Sequence, residues 1–131
     1  MQLRYADGLS ESERLERGVG FPGTCPIGPQ VDLMHFFDVL TLNRGRTADN
    51  VLYHHGLARL SVFDFADAFG TERRLPTGFD PGTLELPPAL RKNLASLDAA
   101  ELEELLGRWL GKSQILGLLA RRDELLHGAR R

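Results

Sequence analysis

Apolar residues recur at helical spacing through much of this chain. Val31, Leu33, Met34, Phe36, Phe37 and Leu40 form a broad apolar stripe, with Pro29 near the first turn and Asn43 and Gly45 at the stop, and they predict a helix over residues 30–43. Thr47 caps a second predicted helix over residues 48–55, halted by Gly56. Ser61 opens a third, in which Val62, Phe65, Ala66 and Phe69 share one face before Gly70 ends it. Together these make a three-helix unit over residues 30–70.

The last third carries the strongest periodicity. Pro88 starts a short helix through Leu94, and Asp98 with Glu101 has the spacing of a capping box. Leu102, Leu105, Leu106, Trp109 and Leu110 then step by three and four, which lays them on one apolar stripe. Gly111, Lys112 and Ser113 interrupt the run. A final helix follows, with Ile115, Leu118, Leu119 and Leu126 inward and Arg121 and Asp123 outward. A break this short between two amphipathic helices predicts an antiparallel helical hairpin over residues 88–131.

Two segments lack such periodicity. Residues 1–29 are rich in Gly and Pro and read as an extended arm, with Val19, Phe21 and Ile27 to pin it and a short helix from Ser10 to Arg17 under a Ser10/Glu13 capping box. Residues 71–87, with Pro76, Gly78, Pro81, Gly82 and Pro87, read as a linker or long surface loop. Only residues 2–5 and 83–86 suggest strands, and each is too short to decide anything. The expected fold is therefore all-α, a small multi-helix domain with an extended arm and a C-terminal hairpin.

Composition changes little in that picture. The 131 residues are 42% hydrophobic and 26% charged with net charge −2, values of an ordinary globular domain. No stretch approaches the roughly 18 uninterrupted apolar residues of a membrane span. Charge balances locally: 6 Lys+Arg face 8 Asp+Glu in residues 1–65, and 10 face 10 in residues 66–131, so the field that draws non-specific nucleic-acid binders is missing. Cys25 is the single cysteine, which excludes an internal disulfide, and Met1 to Asp7 contain no apolar signal-peptide core; both favour the cytoplasm.

Few residues offer chemistry. The run from Gly107 to Ser113 imitates a phosphate-binding loop, but three residues separate its glycines where four are required, and a capped helix precedes it in place of a strand. Residues 60–70 have some features of a helix-turn-helix, yet Pro76 leaves barely one turn for a recognition helix, and Asp64 and Asp67 would face phosphate. His35 and Asp38 share a helix face, and with His54 or His55 they could converge on zinc or iron if helices 30–43 and 47–56 pack as a hairpin. Cys25 has no base or neighbouring charge in sequence that would make it a nucleophile.

The expected function is thus a non-catalytic protein-binding module, an accessory subunit or regulator needing no cofactor. Its partner-binding residues would be Leu102, Leu105, Leu106, Trp109 and Leu110, offered to another protein or to a second copy of itself. A small His/Asp metal-binding enzyme or sensor using His35, Asp38, His54 and His55 is the first alternative, and a helix-turn-helix-like DNA-binding regulator over residues 47–75 the second.

Overall fold

Ser10 opens the first helix as its pattern predicts. The computed structural model describes residues 8–21, 27–54, 56 and 58–128, and in it the Ser10 hydroxyl accepts from the Glu13 N–H at 3.1 Å while the Glu13 carboxylate accepts from the Ser10 N–H at 2.9 Å. This reciprocal cap starts α1 (Glu11–Glu16) directly after a three-residue strand, β1 (Gly8–Ser10). Pro29 lies in the first turn of α2 (Ile27–Thr41), as expected. Beyond it the expectation of an all-α fold fails. Val51–His54 form β2 and Arg59–Val62 form β3, giving an antiparallel sheet in the order β1-β2-β3. Gly8 pairs with His54 and Ser10 with Leu52 across one boundary, and Val51 pairs with Val62 and His54 with Arg59 across the other.

The physical reason lies in the runs themselves. Val-Leu-Tyr-His and Arg-Leu-Ser-Val are rich in residues that fit a pleated surface, but four residues are too few to separate a period of 2 from one of 3.6. Gly56, taken as a helix stop, sits in the hairpin connection, where Ala58 turns the chain with φ +46°. Of residues 48–54, Ala48–Asn50 form a 3₁₀ turn and the remainder is strand. The helix expected after Ser61 is replaced by an irregular stretch in which Asp64 and Phe69 adopt φ of +61° and +64°. The three-helix unit over residues 30–70 is therefore one helix packed on a small sheet.

The C-terminal region is built from α3 (Pro88–Ser96), α4 (Ala99–Leu106) and α5 (Lys112–Gly128). Asp98 caps α4 by accepting from the Glu101 N–H at 2.8 Å. Helix α5 is central and packs against α2, α3 and α4. Ile115, Leu118 and Leu125 of α5 join Phe36 and Leu40 of α2, Leu94 of α3, Leu102 of α4, and Leu84 and Leu86 in one core. Each such side chain contributes about 1.5–3 kcal/mol by leaving water. Leu84 and Leu86 belong to the segment read as a linker, and Leu75 and Phe79 of that segment also pack on the core. Residues 71–87 thus complete the interior.

Arg121 is the largest departure on α5. Expected outward, it is 0% exposed. Its Nε donates to the Leu40 carbonyl at 3.0 Å, and Nη1 donates to the carbonyls of Gly70, at 3.2 Å, and Glu72. Burial pushes its pKa down from the ordinary arginine range, and the Glu72 carboxylate acts in the opposite direction without cancelling it. The end of α2 explains this burial. The last four carbonyls of a helix lack partners within it. Here the Asp38 carbonyl accepts from the Asn43 N–H, Val39 from Leu42, Thr41 from Phe69 and Leu40 from Arg121. A long cation from α5 closes what backbone alone leaves open.

The sheet is fastened to α2 by a side chain. Gln30 Nε2 donates to the Ala58 carbonyl at 2.9 Å and its Oε1 accepts from the Leu60 N–H at 2.8 Å, so its amide occupies the outer side of β3. On β2, Tyr53 is fully buried, and Phe21 packs edge-on against its ring at 4.8 Å under the Arg14 guanidinium, 4.2 Å from the Phe21 centroid. Phe21 thereby pins the described part of the arm, as its sequence suggests. Residues 1–7 and 22–26, with Cys25, lie outside the described residues.

Candidate interaction site

Helix α2 carries apolar residues over more of its circumference than α5 and the sheet can cover. Leu33 and Phe37, one turn apart, are 51% and 43% exposed. They stand on one wall of an apolar groove of about 700 Å³. Met34 and Leu40 continue that wall, Leu60 and Val62 of β3 and Phe65 form a second, and Leu90, Leu94, Leu102 and Leu106 of α3 and α4 face them. The volume falls within the 300–1,000 Å³ typical of binding clefts.

Two devices hold the walls in place. The first is a polar cluster behind Phe65. Asp38, buried on α2, accepts from Arg46 Nε and Nη2, both at 2.8 Å, and from Asn43 Nδ2 at 2.9 Å. Arg46 also donates to the Phe63 carbonyl at 2.8 Å and lies 4.9 Å from the Phe65 ring centroid, and Phe65 meets Phe37 edge-on at 5.6 Å. The forked guanidinium thus ties helix, strand end and aromatic wall together. The second device fixes Phe69, whose φ of +64° is costly for a bulky residue. Its N–H donates to the Thr41 carbonyl at 2.5 Å and its carbonyl accepts from Gln114 Nε2 at 2.9 Å. These bonds over-determine the backbone and hold the ring on the groove.

The polar groups lining the groove have partners. Gln30 is bonded to β3, Asp38 to Arg46 and Asn43, and the Thr41 hydroxyl to the Phe37 carbonyl at 2.8 Å. None is a free base, nucleophile or metal ligand. What the groove offers is apolar surface in a fixed shape.

The described members of the expected metal set, His35, Asp38 and His54, are not brought together. His35 is exposed on α2, whereas Asp38 is buried on the same helix and occupied by Arg46. The hairpin of two helices that would have joined them to His54 is replaced by the sheet. His54 lies on β2 with Nε2 3.0 Å from the Ser61 hydroxyl. His55 is outside the described residues, among which no group of three or more His, Cys, Asp or Glu side chains able to hold a metal forms. The helix-turn-helix reading loses its frame as well, because described residues from 51 to 75 contain two strands and irregular chain but no α-helix.

The Leu/Trp stripe divides. Leu102 is buried in the core, and Leu106 and Leu110 pack against it part-buried. Leu105 and Trp109 stand out at 59% and 72% exposure. Leu102 and Leu106 line the groove, and Leu105 and Trp109 form a separate outward pair. The groove itself escaped the sequence reading, although the breadth of the α2 stripe was its signal. No helix among the described residues is long and apolar enough to cross a membrane. No protein-family model, curated protein or solved structure matches this chain.

Proposed function

We propose that this protein is a non-catalytic protein-binding module, an accessory subunit or regulator, whose groove receives an amphipathic helix of another protein in the cytoplasm. The observation that carries this reading is the groove of about 700 Å³ lined by apolar side chains, with Leu33 and Phe37 exposed on its α2 wall. A small-molecule site sets a few unspent polar groups among apolar ones to fix orientation. Here those groups are engaged internally, which favours an occupant recognised by shape and hydrophobic spacing. A helix presenting residues at i, i+3, i+4 and i+7 is such an occupant. The cytoplasmic setting suits a chain whose one cysteine cannot pair internally.

The test compares capture from native extract by the full chain and by the double variant Leu33→Glu, Phe37→Glu. Leu33→Glu should change folding stability by no more than about 0.5 kcal/mol, and Phe37→Glu should cost about 1 kcal/mol more through loss of its ring contact with Phe65, so the two proteins are compared at equal folded fraction. The expected result is a protein held by the wild type and lost by the variant, with cross-links to position 34 falling in a helical segment of that protein. Identical captured sets from two equally folded proteins, or a small apolar molecule co-purifying in the groove, would overturn the reading.

A further inference from the structure

The outward side of α4 carries a second apolar feature that the groove does not use. Leu105 lies in the last turn of α4 and Trp109 in the turn that follows it, which is closed by hydrogen bonds from the Gly107 N–H to the Glu103 carbonyl and from the Trp109 and Leu110 N–H groups to the Leu106 carbonyl. Around this pair the charges are sorted by sign. Glu101, Glu103 and Glu104 precede it, Arg108 and Lys112 accompany and follow it, and all five are exposed. Glu104 and Arg108 stand at the i,i+4 spacing that favours an ion pair, yet none of the five makes an ion pair among the described residues. Arg108 instead lies 5.9 Å from the Trp109 ring centroid.

We propose that this face is a self-association surface, on which two copies of the chain pack α4 against α4 in antiparallel fashion about a two-fold axis. A two-fold contact requires a patch complementary to itself. An axis perpendicular to the helix reverses its direction, so the acidic half of one copy meets the basic half of the other, and Leu105 crosses Trp109 of the second copy. Glu101 lies in the first turn of α4 and Arg108 beyond its C-terminal end at Leu106, so the two signs sit at opposite ends of the helix and set both register and direction. A parallel arrangement would put like charges together. Trp109 and Arg108 are of the types that dominate interface hot spots, and one helix per copy gives a transient interface.

This goes beyond the groove reading and fails or stands independently of it. The test is sedimentation velocity of the full chain from about 5 to about 500 µM, the range suited to weak association. The wild type should pass from monomer to dimer, and Trp109→Ala should raise the dissociation constant roughly thirtyfold. Two charge-reversed proteins, E101K/E104K and R108E/K112E, should each lose at least tenfold in self-association, while their equimolar mixture restores dimers. A wild type that stays monomeric throughout overturns the proposal. So does a mixture of the folded variants that fails to regain dimers, or charge-reversed variants that dimerise as the wild type does. Capture by the groove should be unchanged in the Trp109→Ala protein, which separates the two outcomes.

Discussion

Replacing Arg121 by methionine tests how the two halves of the chain are joined. The guanidinium serves carbonyls from two separate segments, Leu40 at the end of α2 and Gly70 and Glu72 in the loop that passes α5. Each hydrogen bond from a charged donor is worth about 1.5–3 kcal/mol, so the gross loss is roughly 5–9 kcal/mol. Part returns, because a cation with its Nη2 unpartnered among the described residues is no longer held out of water, a penalty of several kcal/mol. Methionine also keeps the apolar stem. The net cost should be about 2–4 kcal/mol, with lysine little better because its single nitrogen cannot reach acceptors that Nε and Nη1 serve from separate positions. Gly117 makes the test sharper. A Cβ there would lie 2.9 Å from the Thr71 carbonyl oxygen and 3.1 Å from Arg121 Nη1. Gly117→Ala should therefore cost about 1–3 kcal/mol in crowding, offset by about 1 kcal/mol of helix propensity. Once Arg121 no longer clamps the loop, that crowding can relax, so the double variant should be more stable than additivity predicts by about 1 kcal/mol. Urea unfolding followed by circular dichroism measures all four proteins, and amide exchange of residues 70–72 reports the loop. Arg121→Met within about 0.5 kcal/mol of wild type at unchanged m, or strictly additive variants, would refute this account.

Other outcomes follow from the caps and the buried pair. Arg46→Ala should cost about 3–5 kcal/mol, because it strands the Asp38 carboxylate in the interior, and Asp38→Asn added to it should recover part of the loss; a chemical-denaturation midpoint unmoved by Arg46→Ala would contradict that. Ser10→Ala should destabilise α1 by about 1 kcal/mol, read as faster amide exchange over residues 11–16. The hydrogen bond from the Ser10 N–H holds the Glu13 carboxyl below its ordinary value of 4.5. The folded pKa lies below the unfolded one, so the stabilisation is complete above pH 4.5 and disappears as pH falls through the lowered folded value. The Ser10 amide resonance should move in acid over that window, and a resonance unchanged while Glu13 protonates would show that the reciprocal cap does not form in solution.

Local rules carried the sequence reading where one signal acted alone. Ser10 and Glu13 announce α1, Pro29 and the breadth of apolar positions announce α2, and Asp98 announces α4, each through an interaction a few residues long. The strands escaped because their evidence is shared. Four residues starting at Val51 acquire a period only when Arg59–Val62 lies beside them, and that pairing belongs to tertiary structure. Arg121 escaped for a related reason. In a helix with apolar neighbours on several sides, an arginine suggests the wet face, and only the unmet carbonyl of Leu40, 81 residues away, explains why it turns inward. Asp38 shows the same limit at the candidate site. Its spacing from His35 suggested a ligand pair, while its partner, Arg46, lies beyond the end of the helix. The groove needs α2, β3, α3 and α4 in place before it exists at all.

The amide of Gln30 has a consequence for the company this protein can keep. A border strand with open backbone groups is a template on which a stray extended chain can build, and such additions end in aggregates. By filling the Leu60 donor of β3 and the Ala58 acceptor just before it, the side chain of α2 imitates a single peptide unit of a neighbouring strand and stops the series there. Molecules that approach this side of the sheet must then engage side chains. Association by main-chain extension is closed to them, and the contacts left open can discriminate between one visitor and the next.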